Sequence, residues 1–311
     1  MRLSLLLTCL LITVSSMSQI GSFNTRNWKR NMREFRFGFG ATNFLGDLGG
    51  RDQIGKGYSL VDLDWASTSL SFTTGYRYRF HPHWAFSSDM VFGMVRGSDE
   101  QTQEIIRSNR NLHFRAPIIN ATQRIEYIFY AYEKSGRRYD LRPRKSMRNY
   151  NTQMYLFGGV GGLFFIPQAN FGNGWENLRP LKTEGQGFED GAKAYSNFTL
   201  TIPLGFGMRI ATGRDWRVGI EATYNATFSD YIDDVSTVYF DPAVLNSEIG
   251  PLAAQASNPA IGNTSWFVPG QQRGDPGEND AVLYVNIVFT KNLSASNFRI
   301  RTERWRRKTK F

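Results

Sequence analysis

Residues able to do chemistry are few in this chain and widely spaced. Its three histidines are His81 and His83, two positions apart, and His113. Imidazoles at i and i+2 can share a metal ion, but no carboxylate or cysteine cluster lies near them in sequence to complete a ligand set. His113 has serines nearby, and a histidine–serine couple is what a lipid-modifying or proteolytic enzyme needs, yet nothing in the spacing singles one serine out. The stretch Ser229-Asp230-Tyr231-Ile232-Asp233-Asp234-Val235-Ser236 gathers three carboxylates that could ligate calcium. Its spacing matches no EF-hand loop, so hydrogen bonding within a structured loop fits it better. The chain is therefore expected to be no enzyme and to use no cofactor or resident metal.

The elements that must position these residues are strands. In Ser69 to Phe80, Leu70, Phe72, Thr74, Tyr76, Tyr78 and Phe80 share one face, and Ser69, Ser71, Thr73, Gly75, Arg77 and Arg79 share the other. Such a period of two marks a strand with one apolar and one polar face. Its length covers the roughly 9–11 residues that a tilted strand needs to cross a bilayer. The pattern recurs in Arg33 to Ala41, Trp84 to Val95, Thr122 to Ala131, Asn197 to Ile210, Trp216 to Phe228 and Ala281 to Thr290. Thr152 to Phe164 reads as a further strand, rich in glycine and ambiguous in its facing. Eight strands, an even number, let an antiparallel sheet close without a free edge, as lipid requires. The fold expected is all-β: an eight-stranded antiparallel transmembrane barrel, OmpA-like, with long outer loops.

A barrel this narrow has room inside only for side chains. The polar faces supply Glu34, Arg36, Arg77, Arg79, Asp89, Arg124, Glu126, Arg209, Arg217 and Glu221. These are expected to pair as a charged network that plugs the lumen. The mean hydropathy of −0.39 fits such a barrel, because only alternate strand residues meet lipid.

Ahead of the strands, Arg2 and the apolar run Leu3 to Val14 precede Ser16-Met17-Ser18. This predicts a secretory signal peptide over 1–18, too short to span a membrane as a helix. A lipidation signal at Leu6-Leu7-Thr8-Cys9 fits less well, because the apolar run continues past the cysteine. Cleavage after Ser18 removes the one cysteine, leaving no thiol chemistry. The remaining boundaries expected are an N-terminal periplasmic segment over 19–32, the barrel over 33–290 and a basic periplasmic tail over 291–311.

Connector lengths orient the barrel. Bacterial barrels have short periplasmic turns and longer outer loops. The connections at His81-Pro82-His83 and at Ala211 to Asp215 are short, whereas Thr42 to Ser67, Arg96 to Ala121, Ile166 to Ser196 and Ser229 to Asp280 are long. Both termini are thus expected in the periplasm. The exception is Tyr132 to Asn151, an inner connector of loop length.

Charge sorts along the same axis. The chain carries +10 overall. The Tyr132–Asn151 connector has seven basic residues against two acidic, and the tail has eight against Glu303 alone. The four outer loops carry −2, +1, −1 and −7. The basic face is expected to dock an acidic protein or anionic polymer through Arg137, Arg138, Arg142, Arg144, Lys145 and Arg148 of the connector. In the tail the expected contacts are Arg299, Arg301, Arg304, Trp305, Arg306, Arg307, Lys308 and Lys310. Arginine beside an aromatic anchor is typical of interfaces. Nucleic acid is a poor candidate in that compartment; outer-membrane lipid is the surrounding partner. Asp241-Pro242 reads as a helix start, with Asp as N-cap and Pro at the first position.

Several stretches bear a family likeness. They are Asn43-Phe44-Leu45-Gly46-Asp47-Leu48, Gly75-Tyr76-Arg77-Tyr78-Arg79-Phe80, Gly97-Ser98-Asp99, Arg110-Asn111-Leu112, Thr183-Glu184-Gly185-Gln186-Gly187, Ile202-Pro203-Leu204-Gly205-Phe206-Gly207 and Tyr231-Ile232-Asp233-Asp234-Val235-Ser236. In this order, over roughly residues 33 to 290, the chain resembles the PorG-like barrels of the Bacteroidota type IX secretion machinery. The Gly-Tyr-Arg-Tyr piece is common to OmpA-like barrels, and the Thr-Glu-Gly-Gln-Gly and Asp-Asp-Val-Ser pieces are more specific. The resemblance implies a non-enzymatic barrel that ties the periplasmic lipoprotein ring, the PorK and PorN components, to the outer membrane. That machinery exports folded proteins and in many bacteria supports gliding. The resemblance brings no catalytic residues and does not reach the basic tail. Two alternatives stand beside it: an adhesion or ligand-binding barrel acting through its outer loops, and a lipid-modifying enzyme using His113.

Overall fold

The computed structural model describes residue 28 and residues 31–48, 67–101, 105–131, 152–172, 174–212, 215–261 and 264–293. Among these, eight long strands form the body: β1 (Arg33–Leu45), β2 (Ser69–His81), β3 (Trp84–Ser98), β4 (His113–Ala131), β5 (Thr152–Phe165), β8 (Phe198–Ala211), β9 (Trp216–Thr227) and β10 (Ala281–Asn292). Two short strands, β6 (Gln168–Asn170) and β7 (Trp175–Asn177), form a hairpin on the end of β4, where Arg115 pairs with Gln168. Each long strand pairs antiparallel with the next, β1 pairs with β10, and the ring closes. No helix among the described residues is long and apolar enough to cross a membrane; the crossing is made by strands.

The alternation seen in the sequence fixes which side faces out. Leu70 of β2 is 84% exposed and Phe39 of β1 is 56% exposed, while Arg36 and Arg77 on the opposite faces are at most 2% exposed. This inversion of a soluble protein's pattern follows from lipid as solvent. Apolar side chains lose nothing by facing acyl tails, whereas an unsatisfied polar group there costs several kcal/mol. Trp84 and Trp216 ring the end with short connections, hereafter the turn end. The molecule is a closed eight-stranded antiparallel barrel of the outer-membrane type.

β5 faces inward through Gln153, Tyr155, Phe157, Leu163 and Phe165 and outward through Leu156, Val160 and Phe164. Tyr155 and Phe157 need room, and glycine on β8 provides it. A Cβ on Gly205 would stand 2.3 Å from the Phe157 ring, and one on Gly207 would stand 2.4 Å from the Tyr155 ring.

Several strand boundaries depart from the sequence reading. β1 runs on to Leu45, and β4 begins at His113, so His113 lies on a strand and the Arg96–Ala121 loop shrinks to the segment between Ser98 and His113. In that first part of β4, inward Phe114, Ala116 and Ile118 meet an apolar plug, while Pro117 and Ile119 face out. With apolar residues on both faces, the period of two disappears from the sequence. β10 likewise carries Lys291 and Asn292, expected from the pattern to begin the tail.

The barrel interior is layered. The turn-end half holds charged side chains. Above them lies a layer of amides and hydroxyls, where Asn120 Nδ2 donates to Asn225 Oδ1 at 3.1 Å and Ser71 Oγ to Asn286 Oδ1 at 2.7 Å. At the loop end an apolar plug of Phe44, Val95, Phe114, Leu163, Phe165 and Val282 fills the mouth. Over it sit the long loops, with the β6–β7 hairpin and three short helices: α1 (Ile105–Arg110), α2 (Pro242–Glu248) and α3 (Pro251–Ser257). Asp241 caps α2 by accepting from Ala243 N–H at 2.8 Å.

Candidate functional site: the ionic lumen and the loop cap

The lumen network is built by residues two apart on neighbouring strands, all on the inward face. Glu34 of β1 accepts from Arg77 Nη1 and Arg209 Nη1, each at 2.8 Å, and also from Arg217 Nη1. Glu126 of β4 accepts from Arg77 Nε at 2.5 Å and from Arg36 Nη1 at 2.9 Å. Glu221 of β9 takes Arg124 Nη2 at 2.8 Å, Arg36 Nη2 and the Tyr155 hydroxyl. Asp89 of β3 lies 2.9 Å from Arg124 Nε and accepts from Ser87 Oγ at 2.6 Å. The flat faces of the guanidinium groups are used too: Arg124 lies 4.1 Å over the Phe157 ring.

Nine of the ten charges singled out in the sequence therefore meet in one network. The tenth, Arg79, hydrogen-bonds the Pro82 carbonyl in the β2–β3 turn, with Nη2 at 2.5 Å. Tyr155 and Gln153, which binds Arg209 Nε at 2.9 Å, belong to the network but were hidden by the ambiguous facing of β5. Chemically the arrangement is a plug. Each of its carboxylates is paired with guanidinium groups, and the Tyr155 and Phe157 rings pack against the arginines.

The loop cap is held by a second set of buried polar groups. Arg273 Nη1 donates to Glu184 Oε1 at 2.9 Å and to the Asp234 carbonyl at 2.6 Å. Glu184 also receives the backbone N–H groups of Ser236 and Thr237 at 2.9 and 3.1 Å. Asp234, at a positive φ of 65°, accepts from Thr183 Oγ1 at 2.6 Å and Tyr195 OH at 2.5 Å. Arg110 forks onto Asp99 at 2.7 and 2.8 Å and reaches the Arg273 carbonyl at 2.8 Å. Asp233 accepts from Val235 and Leu48 N–H. The Asn43–Leu48, Gly97–Asp99, Arg110–Leu112, Thr183–Gly187 and Tyr231–Ser236 stretches, far apart in sequence, thus converge on one folded unit. Arg273 has no local sequence signal; only its place in the tertiary structure marks it.

Four aspartates lie at the base of the cap. Burial pushes the Asp230 carboxyl up to about 8, and nearby Asp47 and Glu184 add to the shift. Asp233 and Asp280 are raised well above the ordinary range, first by burial and then by neighbouring aspartates. Asp47 is raised chiefly by burial. Arg110 opposes the shift on both Asp47 and Asp233, and Arg107 opposes it on Asp47. Among the described residues no three His, Cys, Asp or Glu side chains are placed to hold a metal ion.

The histidines are spoken for by local structure. His81 Nδ1 accepts from His83 N–H at 3.3 Å, and the His83 ring lies 3.2 Å from the Ile128 carbonyl. His113 Nε2 accepts from Asn170 N–H at 3.1 Å, tying β4 to the hairpin. The connector and tail cations at 137–148 and 299–310 lie outside the described residues.

No protein-family model and no curated protein matches the sequence. Among solved structures the chain is similar to Ail, the attachment invasion locus protein of Yersinia pestis, in a complex with the heparin analogue sucrose octasulfate. That likeness has a TM-score of 0.35 at 8% identity, over 84% of this chain and 97% of that one. It is also similar to Neisserial surface protein A, with a TM-score of 0.33 at 9% identity over 84% and 97%. A third is the outer membrane protein OprG of Pseudomonas aeruginosa, with a TM-score of 0.32 at 10% identity over 84% and 96%.

Proposed function

We propose that the protein is a non-enzymatic outer-membrane anchor of a type IX secretion machine, PorG-like in kind, which docks a periplasmic ring of PorK/PorN-like lipoprotein components. The observation that carries this reading is the filled lumen: Glu34, Glu126, Glu221 and Asp89 are locked to Arg36, Arg77, Arg124, Arg209 and Arg217 across the barrel. An interior packed with salt bridges offers no conduit for a folded protein, so function falls to the barrel's two ends. In this reading the turn end faces the periplasm with both termini. It presents Arg137, Arg138, Arg142, Arg144, Lys145 and Arg148, and the tail cations from Arg299 to Lys310 extend that surface. A field of one sign speeds encounter with an acidic partner.

The test is a crosslinking pull-down from membranes, comparing the full chain with a chain ending after Asn292. Recovery of ring components by the full chain alone puts the contact in the tail. Recovery by both puts it in the 132–151 connector. Recovery by neither abandons the anchor reading. One observation favours a second reading, a surface-binding barrel: the outer loops fold into a unit with its own buried network around Glu184 and Arg273. That reading predicts that deleting Ser229–Asp280 abolishes function while deleting the tail does not.

A further inference from the structure

The outward faces of the eight barrel strands carry no carboxylate among the described residues. Their cations are Arg33 and Lys291 at the turn end and Arg96 and Arg115 at the loop end. The loop-end pair is unusual. Arg96 of β3 and Arg115 of β4 are direct cross-strand partners, so two like charges face one another on the same surface. Such a pair is destabilising unless something neutralises it. No ion pair satisfies either guanidinium among the described residues. Arg96 Nη2 lies 3.6 Å from Met94 Sδ, and Arg115 Nε donates to Gln168 Oε1 at 3.1 Å. Glu176, the acid nearest in the hairpin, alternates to the face opposite Trp175.

Depth decides what could fill the gap. Along β3 the outward residues run from Trp84 through Phe86, Met90 and Phe92 to Met94, and Arg96 follows. Ten residues at about 3.3 Å each, tilted by about 40°, rise about 25 Å, the height of a barrel's apolar band. On β4 the pairs Phe92 with Ile119 and Met94 with Pro117 lie just below Arg96 and Arg115. The two guanidinium groups therefore sit one step above the acyl chains, at headgroup level. Trp175 completes the setting. The β6–β7 hairpin, fixed by Gln168 Nε2 donating to Asn177 Oδ1 at 2.9 Å, holds its ring 3.9 Å from the Arg115 guanidinium. An indole at this depth is an interfacial anchor, and its face keeps the arginine extended along the barrel wall.

We propose that Arg96, Arg115 and Trp175 form a binding site for the phosphorylated headgroup of a lipid in the loop-end leaflet. The phosphate oxygens take the outward N–H groups of both arginines and relieve their repulsion, and the acyl chains lie against Phe92, Ile119 and Pro117. Planar guanidinium groups suit this because they bind phosphate through two parallel hydrogen bonds. The site is separate from the turn-end surface assigned to the periplasmic partner, so either assignment can fail alone.

The test gives the full chain, in nonionic detergent, lipid A bearing both phosphates, and reads retained lipid by native mass spectrometry. Circular dichroism confirms that each variant is folded. The wild type is expected to retain the lipid. Arg96→Gln with Arg115→Gln should weaken retention about tenfold or more, the loss expected for charge-assisted hydrogen bonds. Trp175→Leu should weaken it less, and the double Arg→Lys variant should recover part of it. Equal retention by the Gln variant overturns the proposal, as does equal retention of dephosphorylated lipid A by the wild type. Displacement by millimolar inorganic phosphate would show a free-anion site and overturn the lipid assignment.

Discussion

In the lumen Glu34 meets three guanidinium groups and Glu126 and Glu221 meet several each. At the base of the cap, Asp47, Asp230, Asp233 and Asp280 lie beside other acids. Both regions bury acids, and they solve the same desolvation problem in two ways. The lumen supplies opposite charge, which works because neighbouring strands bring inward residues into reach of each other on every side. At the base of the cap cations are fewer, Arg110 acting on Asp47 and Asp233 and Arg107 on Asp47, and burial favours the protonated form of the aspartates. Backbone N–H groups hold their oxygens, as Ile232 N–H holds Asp280 at 2.9 Å and those of Val235 and Leu48 hold Asp233. The second solution makes the cap sensitive to pH.

The contrast can be broken most forcefully in the lumen. Glu34→Ala leaves Arg77, Arg209 and Arg217 buried without their shared partner and should cost about 3–5 kcal/mol. Urea unfolding of the barrel in detergent measures this, and a loss under 1 kcal/mol would show that water reaches the network. In the cap, Arg273→Leu strips a guanidinium from Glu184 and the Asp234 carbonyl. It should cost about 1.5–3 kcal/mol, the range for hydrogen bonds to charged groups. The loss should appear as faster hydrogen exchange at Ser236 and Thr237 with the lumen strands unchanged. Equal acceleration in both regions would mean that cap and lumen unfold as one unit.

The dependence on pH sharpens the comparison. Folded, Asp230 keeps its proton to about pH 8; in an opened loop it loses it near pH 4. The folded cap therefore holds more protons in that window. Its stability is full below about pH 4 and falls as pH rises to about 8, by about 1.4 kcal/mol per unit for each such group. Asp233 and Asp280 carry the fall further. Cap hydrogen exchange, corrected for its intrinsic pH dependence, should speed up across this range while lumen strands do not respond, and Asp230→Asn should flatten the slope. A flat profile in the wild type would place a compensating cation beside the cluster.

The strands, their number and most of their facings were legible because lipid imposes a binary rule on alternate residues. Phe198, Leu200, Ile202 and Leu204 of β8 could face only one way, and Arg36, Arg77 and Arg124 only the other. The rule fails where both faces see the same environment. At the start of β4, Phe114 and Ile118 look into the plug while Pro117 and Ile119 look toward lipid, so no alternation survives. In β5 glycine carries no polarity to read, and the inward turn of Tyr155 and Phe157 was decided by the room over Gly205 and Gly207 on the neighbouring strand. Asp241 as a helix cap was readable because its partner lies two residues away. The bond from Arg273 to Glu184 spans 89 residues, and the facing of Arg96 toward Arg115 depends on strand register.

Sequence alone thus determined a lipid-facing barrel with a charged interior, since both follow from the solvent on each face. Only the tertiary structure decided which charges meet, where the loops converge and which two arginines share the headgroup layer. Those depend on register and long-range closure, which no local pattern encodes.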